Sequence, residues 1–169
     1  TWFSRQGCAE KLPIREDGLF GQAELTSCGL NGGPLAGEGY YPSCIACHLF
    51  TDRPVIYVGD SDKPEYVNGS FPKIVKEGWD GDQNEGYITN MYDQCTAGFR
   101  YFDLSHVSEI TLTIRGYAYG SMEIRTSFEG SAVKTIPLHY SNIWRDIKTE
   151  IKLPEGADSL YFTYRGPGS

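Results

Sequence analysis

From Val107 onward, apolar and polar residues alternate with a period of two. Ile110, Leu112 and Ile114 interleave with Thr111, Thr113 and Arg115. Met122, Ile124, Thr126 and Phe128 repeat the pattern against Glu123, Arg125 and Ser127, up to a Glu129-Gly130 turn. A further strand runs to Leu138. Ile147, Ile151 and Leu153 then alternate with Asp146, Lys148, Glu150 and Lys152, and Pro154-Glu155-Gly156 turns the chain into the apolar run 160–164. Successive side chains of an extended chain point to opposite faces, so each run acquires one apolar face, whereas a helix would scatter it around the axis. Strands at this spacing, punctuated by turn residues, predict an all-β sandwich.

The first hundred residues are less regular. Short strands are expected at 23–28, 44–50, 54–58, 87–91 and 99–102. Asn31-Gly32-Gly33-Pro34 and Gly37-Glu38-Gly39 carry strong turn chemistry, and the polar stretch 59–69 reads as a surface excursion. Twenty glycines and twelve tyrosines in 169 residues suit a fold of strands and tight turns, and the length suits one domain with its own core.

Charge narrows the partners. The net charge is -7 and the basic residues are scattered rather than striped, which argues against nucleic acid and anionic membranes as partners. No apolar run approaches the roughly 20 residues that span a bilayer. A neutral polymer meets no such objection. Five cysteines are too few for a disulfide scaffold of this length, and the odd number leaves at least one unpaired within the chain.

Cys44-Ile45-Ala46-Cys47-His48 has the C-x-x-C-H spacing of c-type haem attachment. Its extended, β-rich surroundings differ from the helical wrap such haem uses, so haem is not expected, and the cysteines read as small core hydrophobes. Zinc held by Cys44, Cys47, His48 and Cys28 or Cys95 would need a second paired motif, which is missing. Glycoside hydrolysis needs two carboxyl groups flanking the bond, one with a raised pKa. Asp80, Asp82 and Glu85 lie instead in a polar, glycine-containing loop that suits solvent or a loose calcium site. What remains suits sugars, whose rings offer apolar C–H faces rimmed by hydroxyls. The candidate platforms are Trp79, Trp144, Tyr117 and Tyr119, with Asn142, Asp80 and Asp82 as hydrogen-bonding neighbours.

Several long stretches carry a resemblance beyond composition. The segment 22–37, from Gln22-Ala23-Glu24-Leu25-Thr26-Ser27-Cys28 to Leu35-Ala36-Gly37, resembles the opening of the C-terminal β-sandwich attached to family 43 glycoside hydrolases of the β-xylosidase and α-L-arabinofuranosidase group. Gly86-Tyr87-Ile88-Thr89-Asn90-Met91, Thr96-Ala97-Gly98-Phe99-Arg100-Tyr101-Phe102 and Leu160-Tyr161-Phe162-Thr163-Tyr164-Arg165-Gly166 are similar to later segments of the same module, in order. Such modules are similar to family 6 carbohydrate-binding modules and have been classed as family 91.

The resemblance implies a jelly-roll sandwich with a galactose-binding-like fold that binds xylan or xylo-oligosaccharides without catalysing a reaction. It implies catalytic carboxylates in an upstream propeller, with residues 1–19 as the tail of that domain and 20–169 as the module. A structural calcium is implied at Glu24, in the Gln22-Ala23-Glu24 segment. The alternative is an accessory domain that buttresses the propeller and shapes its active site without binding free glycan; its first twenty residues should then be exposed and partly apolar. A polymeric substrate points toward an extracellular setting, although the compartment stays open.

Overall fold

The computed structural model describes residues 9–52, 72–75 and 86–167. Among these, eleven strands and two short 3-10 turns form, and no α-helix. The strands are β1 (Leu35–Ala36), β2 (His48–Phe50), β3 (Lys73–Val75), β4 (Tyr87–Thr89), β5 (Thr96–Arg100), β6 (Phe102–Asp103), β7 (Glu109–Gly116), β8 (Gly120–Arg125), β9 (Lys134–Leu138), β10 (Ser141–Glu150) and β11 (Ser159–Arg165). An antiparallel sheet runs in the order β2-β5-β11-β8-β9, and β7 pairs antiparallel with β10. Two smaller pairs, antiparallel β3-β4 and parallel β1-β6, complete the architecture.

The alternation in β7 survives intact. Ile110, Leu112 and Ile114 are half-buried, while Thr111, Thr113 and Arg115 are exposed. Ile147 of β10 sits opposite Leu112, and both pack against a buried cluster made of Met122, Ile124, Ile136, Leu138 and Tyr164 on the other layer and of Ile151, just past β10. The two sheets therefore face each other across one core, the all-β sandwich the pattern called for. Ile124 is fully buried at its centre, so truncating it to alanine should cost about 3 kcal/mol. Outward, Thr113 donates to Asp146 at 2.7 Å and Lys148 pairs with Glu109 at 2.7 Å, the polar face that an exposed antiparallel pair requires.

The central strand β11 is buried on both sides. Leu160, Phe162 and Tyr164 face the core, yet Ser159, Tyr161 and Thr163 on the opposite side are also buried. Thr163 and Thr96, paired in register, share a 2.8 Å hydroxyl bond. Gly98 makes room beside them, since a Cβ there would come within 2.6 Å of the Tyr161 ring.

Local differences from the sequence expectation have identifiable causes. Residues 23–28 form no strand, because side chains take over the local hydrogen bonding. Arg100 N–H donates to Ser27 Oγ at 3.1 Å, Tyr101 N–H donates to Cys28 Sγ at 3.4 Å, and Thr26 N–H donates to Glu10 at 2.7 Å. In 44–50 a 3-10 turn over Ser43–Ile45 follows Pro42, so only His48–Phe50 is extended and Cys44 lies outside the strand. β8 stops at Arg125, and Phe128 joins a turn that folds back toward His48 and Phe50. β10 starts earlier than expected, at Ser141, and ends before the buried Ile151. The 87–91 strand stops at Thr89, ahead of Asn90 at φ 61°, and 99–102 divides between β5 and β6. The expected strand at 54–58 lies outside the described residues.

Candidate functional site

Two glycines set up the first surface. Gly116 and Gly120 take φ of 113° and 115°, in the region glycine tolerates, and bracket Tyr117-Ala118-Tyr119 at the turn between β7 and β8. A Cβ on Gly120 would stand 2.0 Å from the Arg165 carbonyl, so this turn also lies against the end of β11. The Tyr164 hydroxyl, reaching up from the core, donates to the Tyr119 carbonyl and fixes the loop. The tyrosine rings point out: Tyr117 is 82% exposed and Tyr119 50%. Tyr140, in the β9–β10 turn, joins them with its centroid 4.9 Å from Tyr117 and 6.2 Å from Tyr119.

Pairing of Ser141 with Gly116 brings these two turns together, and a register shift between Ser141 and Arg145 bulges the start of β10. Asn142 is exposed on this bulge, as is Trp144 at 41%. The Trp144 ring meets Tyr87 edge-on at 5.1 Å and lies under the Arg115 guanidinium at 5.0 Å. Of the residues expected from sequence, Tyr117, Tyr119, Asn142 and Trp144 thus converge on one end of the β7–β10 pair. Tyr140 and Tyr87 were missed. The signal for Tyr140 was its position directly before Ser141-Asn142, whereas Tyr87 is brought in only by tertiary contact. Trp79, Asp80 and Asp82 lie outside the described residues.

A second surface lies on the outer face of the five-stranded sheet. Phe50 and Phe128, edge to face at 5.1 Å, line an open pocket of ≈ 220 Å³ together with Thr96 and Thr163, and Asp52, Gln94, Arg125 and Arg165 add polar groups. Beside it Glu123 pairs with Arg125, and with Arg165 at 3.2 Å. Burial pushes the Glu123 carboxyl up, but the hydrogen bonds and charges of Arg125 and Arg165 outweigh it and hold the group below the usual carboxylate range. A general acid needs the opposite shift, so this carboxylate suits an ion-pair strut rather than proton donation. His48, 4.7 Å from the Phe128 ring, is held below its ordinary value by burial and by Arg100, and its Nε2 is buried without a hydrogen-bond partner among the described residues. Sequence reasoning missed this face because it treated β8 and β11 as having only one apolar side.

Glu24, the residue expected at a calcium site, is engaged by Tyr101 and Arg100. Its Oε1 accepts from the Tyr101 hydroxyl at 2.8 Å and faces the Arg100 guanidinium at 3.0 Å, so a cation already occupies its neighbourhood. Among the described residues, no group of three histidine, cysteine or acidic side chains is arranged to hold a metal. Cys28, Cys44, Cys47 and Cys95 are all free thiols. No helix of the described residues is long and apolar enough to cross a membrane.

No protein-family model matches the chain. Its sequence is 47% identical, over all 169 residues, to a xylosidase/arabinosidase of Thermoclostridium stercorarium, and it spans 35% of that protein's length. In structure it is similar to a family 6 carbohydrate-binding module from Clostridium stercorarium solved with cellobiose, with a TM-score of 0.59 at 12% identity over 80% of this chain and 91% of that one. A second family 6 module gives 0.58 at 13% identity, covering 79% and 89%. A family 43 arabinoxylan arabinofuranohydrolase from Bacillus subtilis, solved with cellotetraose, gives 0.57 at 16% identity and takes in 95% of this chain and 30% of the enzyme. The fold is therefore the jelly-roll, galactose-binding-like sandwich of family 6 modules. The resemblance read from the sequence, to the β-sandwich attached to family 43 glycoside hydrolases, holds in both sequence and structure.

Proposed function

We propose that this chain is a non-catalytic carbohydrate-binding module that holds xylan or xylo-oligosaccharides for a family 43 glycoside hydrolase. The observation that carries the reading is the Tyr117–Tyr140–Tyr119 cluster, three large aromatic rings left in solvent at one end of a sandwich whose core does not need them. A pyranose ring laid on such a surface buries its C–H face while its hydroxyls stay available to polar neighbours. Asn142 and Arg115 stand nearby on β10 and β7, and Trp144 adds a further ring along the same end.

The names of the relatives support the ligand class. The similar sequence is called a xylosidase/arabinosidase, and two of the similar structures hold β-linked glucose oligomers. Unbranched xylose and glucose chains expose the same kind of apolar ring face, so one aromatic surface serves either, and discrimination falls to hydrogen bonds. The sheet-face pocket, lined in part by Phe50 and Phe128, is the competing location on the same molecule.

Affinity electrophoresis in gels containing soluble xylan tests the function and its place together. The purified chain should be retarded, and Tyr117→Ala/Tyr140→Ala should abolish the retardation. Retardation unchanged in that variant but lost in Phe50→Ala/Phe128→Ala would move the site to the sheet face; none in the parent chain would refute the glycan-binding reading.

A further inference from the structure

The segment before the sandwich has a defined shape that its own sequence does not explain. Ile14 and Phe20 pair as an isolated antiparallel bridge, Gly21 N–H donates to the Pro13 carbonyl at 2.7 Å, and Arg15 N–H donates to the Leu19 carbonyl at 2.9 Å. Gly18, at φ 80°, closes the turn, and Asp17 accepts from the Leu19 amide at 3.0 Å. The result is a small hairpin. At its base, Glu10 accepts from both the amide and the hydroxyl of Thr26, at 2.7 and 3.0 Å, which ties it to the body of the fold.

Directly opposed residues of an antiparallel pair project to the same side. Ile14 is 70% exposed and Phe20 69%, so the two largest apolar groups of the hairpin share one face and neither is covered. Leu12, Leu19 and Leu25 are also exposed. A two-stranded hairpin on its own is marginal in water, and large apolar side chains left uncovered on an anchored element mark a contact surface.

We infer that this hairpin is a docking face for another folded part of the same, longer polypeptide. Two observations choose that occupant. The similar xylosidase/arabinosidase is nearly three times as long as this chain and matches it over its full 169 residues, so most of such a protein lies elsewhere in its sequence. The arabinofuranohydrolase, of which the match takes in only 30%, also covers more of this chain than the family 6 module does, so a stretch with no counterpart in that module has one in the enzyme. The Ile14–Phe20 bridge crosses the 19/20 boundary expected between tail and module, which makes the hairpin a part of both. The inference is independent of glycan binding, since the tyrosine cluster and the hairpin share no residue.

Hydroxyl-radical footprinting of the complete polypeptide, beside the 169-residue chain, tests it. Phe20 and Leu19 should be labelled severalfold less in the complete polypeptide than in the short chain, while Tyr117 is labelled equally in both. Ile14→Ser/Phe20→Ser in the complete polypeptide should restore labelling of Leu19 and enlarge the particle in small-angle scattering, with retention on xylan unchanged. Equal labelling of Phe20 in both forms would overturn the inference. So would protection already present in the short chain, whether concentration-dependent, which makes the occupant a second copy, or not, which places it within these residues.

Discussion

The rings of Tyr119 and Tyr140 lie within 13° of parallel, with centroids 6.2 Å apart, although they come from different turns. That arrangement makes a shallow aromatic surface rather than two separate side chains. Replacing Tyr140 by alanine should weaken xylo-oligosaccharide binding by about 1 kcal/mol, roughly fivefold, since it removes the ring that touches both neighbours. Tyr140→Phe should retain most of the affinity. Calorimetric titration of the two variants separates ring stacking from hydroxyl bonding, and equal losses would show that the hydroxyl, not the ring, matters.

The hydroxyl pair between Thr96 and Thr163 is buried, with both residues below 5% exposure. Thr163→Val leaves the Thr96 hydroxyl without its partner and should cost about 1–2 kcal/mol in chemical denaturation. Thr96→Val/Thr163→Val should recover part of that loss, because no buried donor is then stranded. A double variant as unstable as the sum of the singles would show that the pair contributes nothing beyond its separate hydroxyls.

Much of this was legible in advance, for a physical reason. Strands such as β7, with one face to the core and one to water, write their alternation directly into the chain, and Ile110, Leu112 and Ile114 fell where expected. The rim tyrosines were legible because Gly116 and Gly120 mark a tight turn around them. β11 was legible as a strand but not as one buried on both faces, since Ser159 and Thr163 look like solvent-facing residues until Thr96 and the aromatic wall of Phe128 are placed over that side. Residues 23–28 misled for the opposite reason: their β-like pattern is overridden by side-chain bonds to Arg100 and Tyr101, which are distant in sequence.

His48 gives the fold a pH dependence. Burial first, and Arg100 second, disfavour its protonated form, so the unfolded chain takes up a proton near the usual value of about 6.5 while the folded chain resists it. The stabilisation is complete above that value and should fall as the pH drops below it, by at most about 1.4 kcal/mol per pH unit. Thermal denaturation from pH 8 to 5.5 should show the fall, and His48→Phe, which keeps an aromatic ring against Phe50 and Phe128, should flatten it. Glu123 acts in a lower window: with its value depressed, its contribution is lost only as the pH falls below the usual carboxylate range. Parallel curves for the parent and His48→Phe would assign the dependence to other groups.

The bond between Glu24 and Arg100 predicts how calcium behaves. Because the guanidinium lies 3.0 Å from the carboxylate, Glu24→Gln should lower Tm in calcium-free buffer by weakening the tie between the 23–28 segment and β5. Any rise in Tm on adding calcium should be the same size in the parent and in Glu24→Gln. A calcium effect confined to the parent would make Glu24 a ligand and contradict the assignment.

Titration of the purified chain with xylohexaose in an isothermal calorimeter bears on the central claim most directly. Saturable binding that drops at least fivefold in Tyr117→Ala/Tyr140→Ala, with the denaturation midpoint held, is the predicted result. No heat of binding from the parent chain, or binding untouched by the loss of both tyrosines, would contradict it.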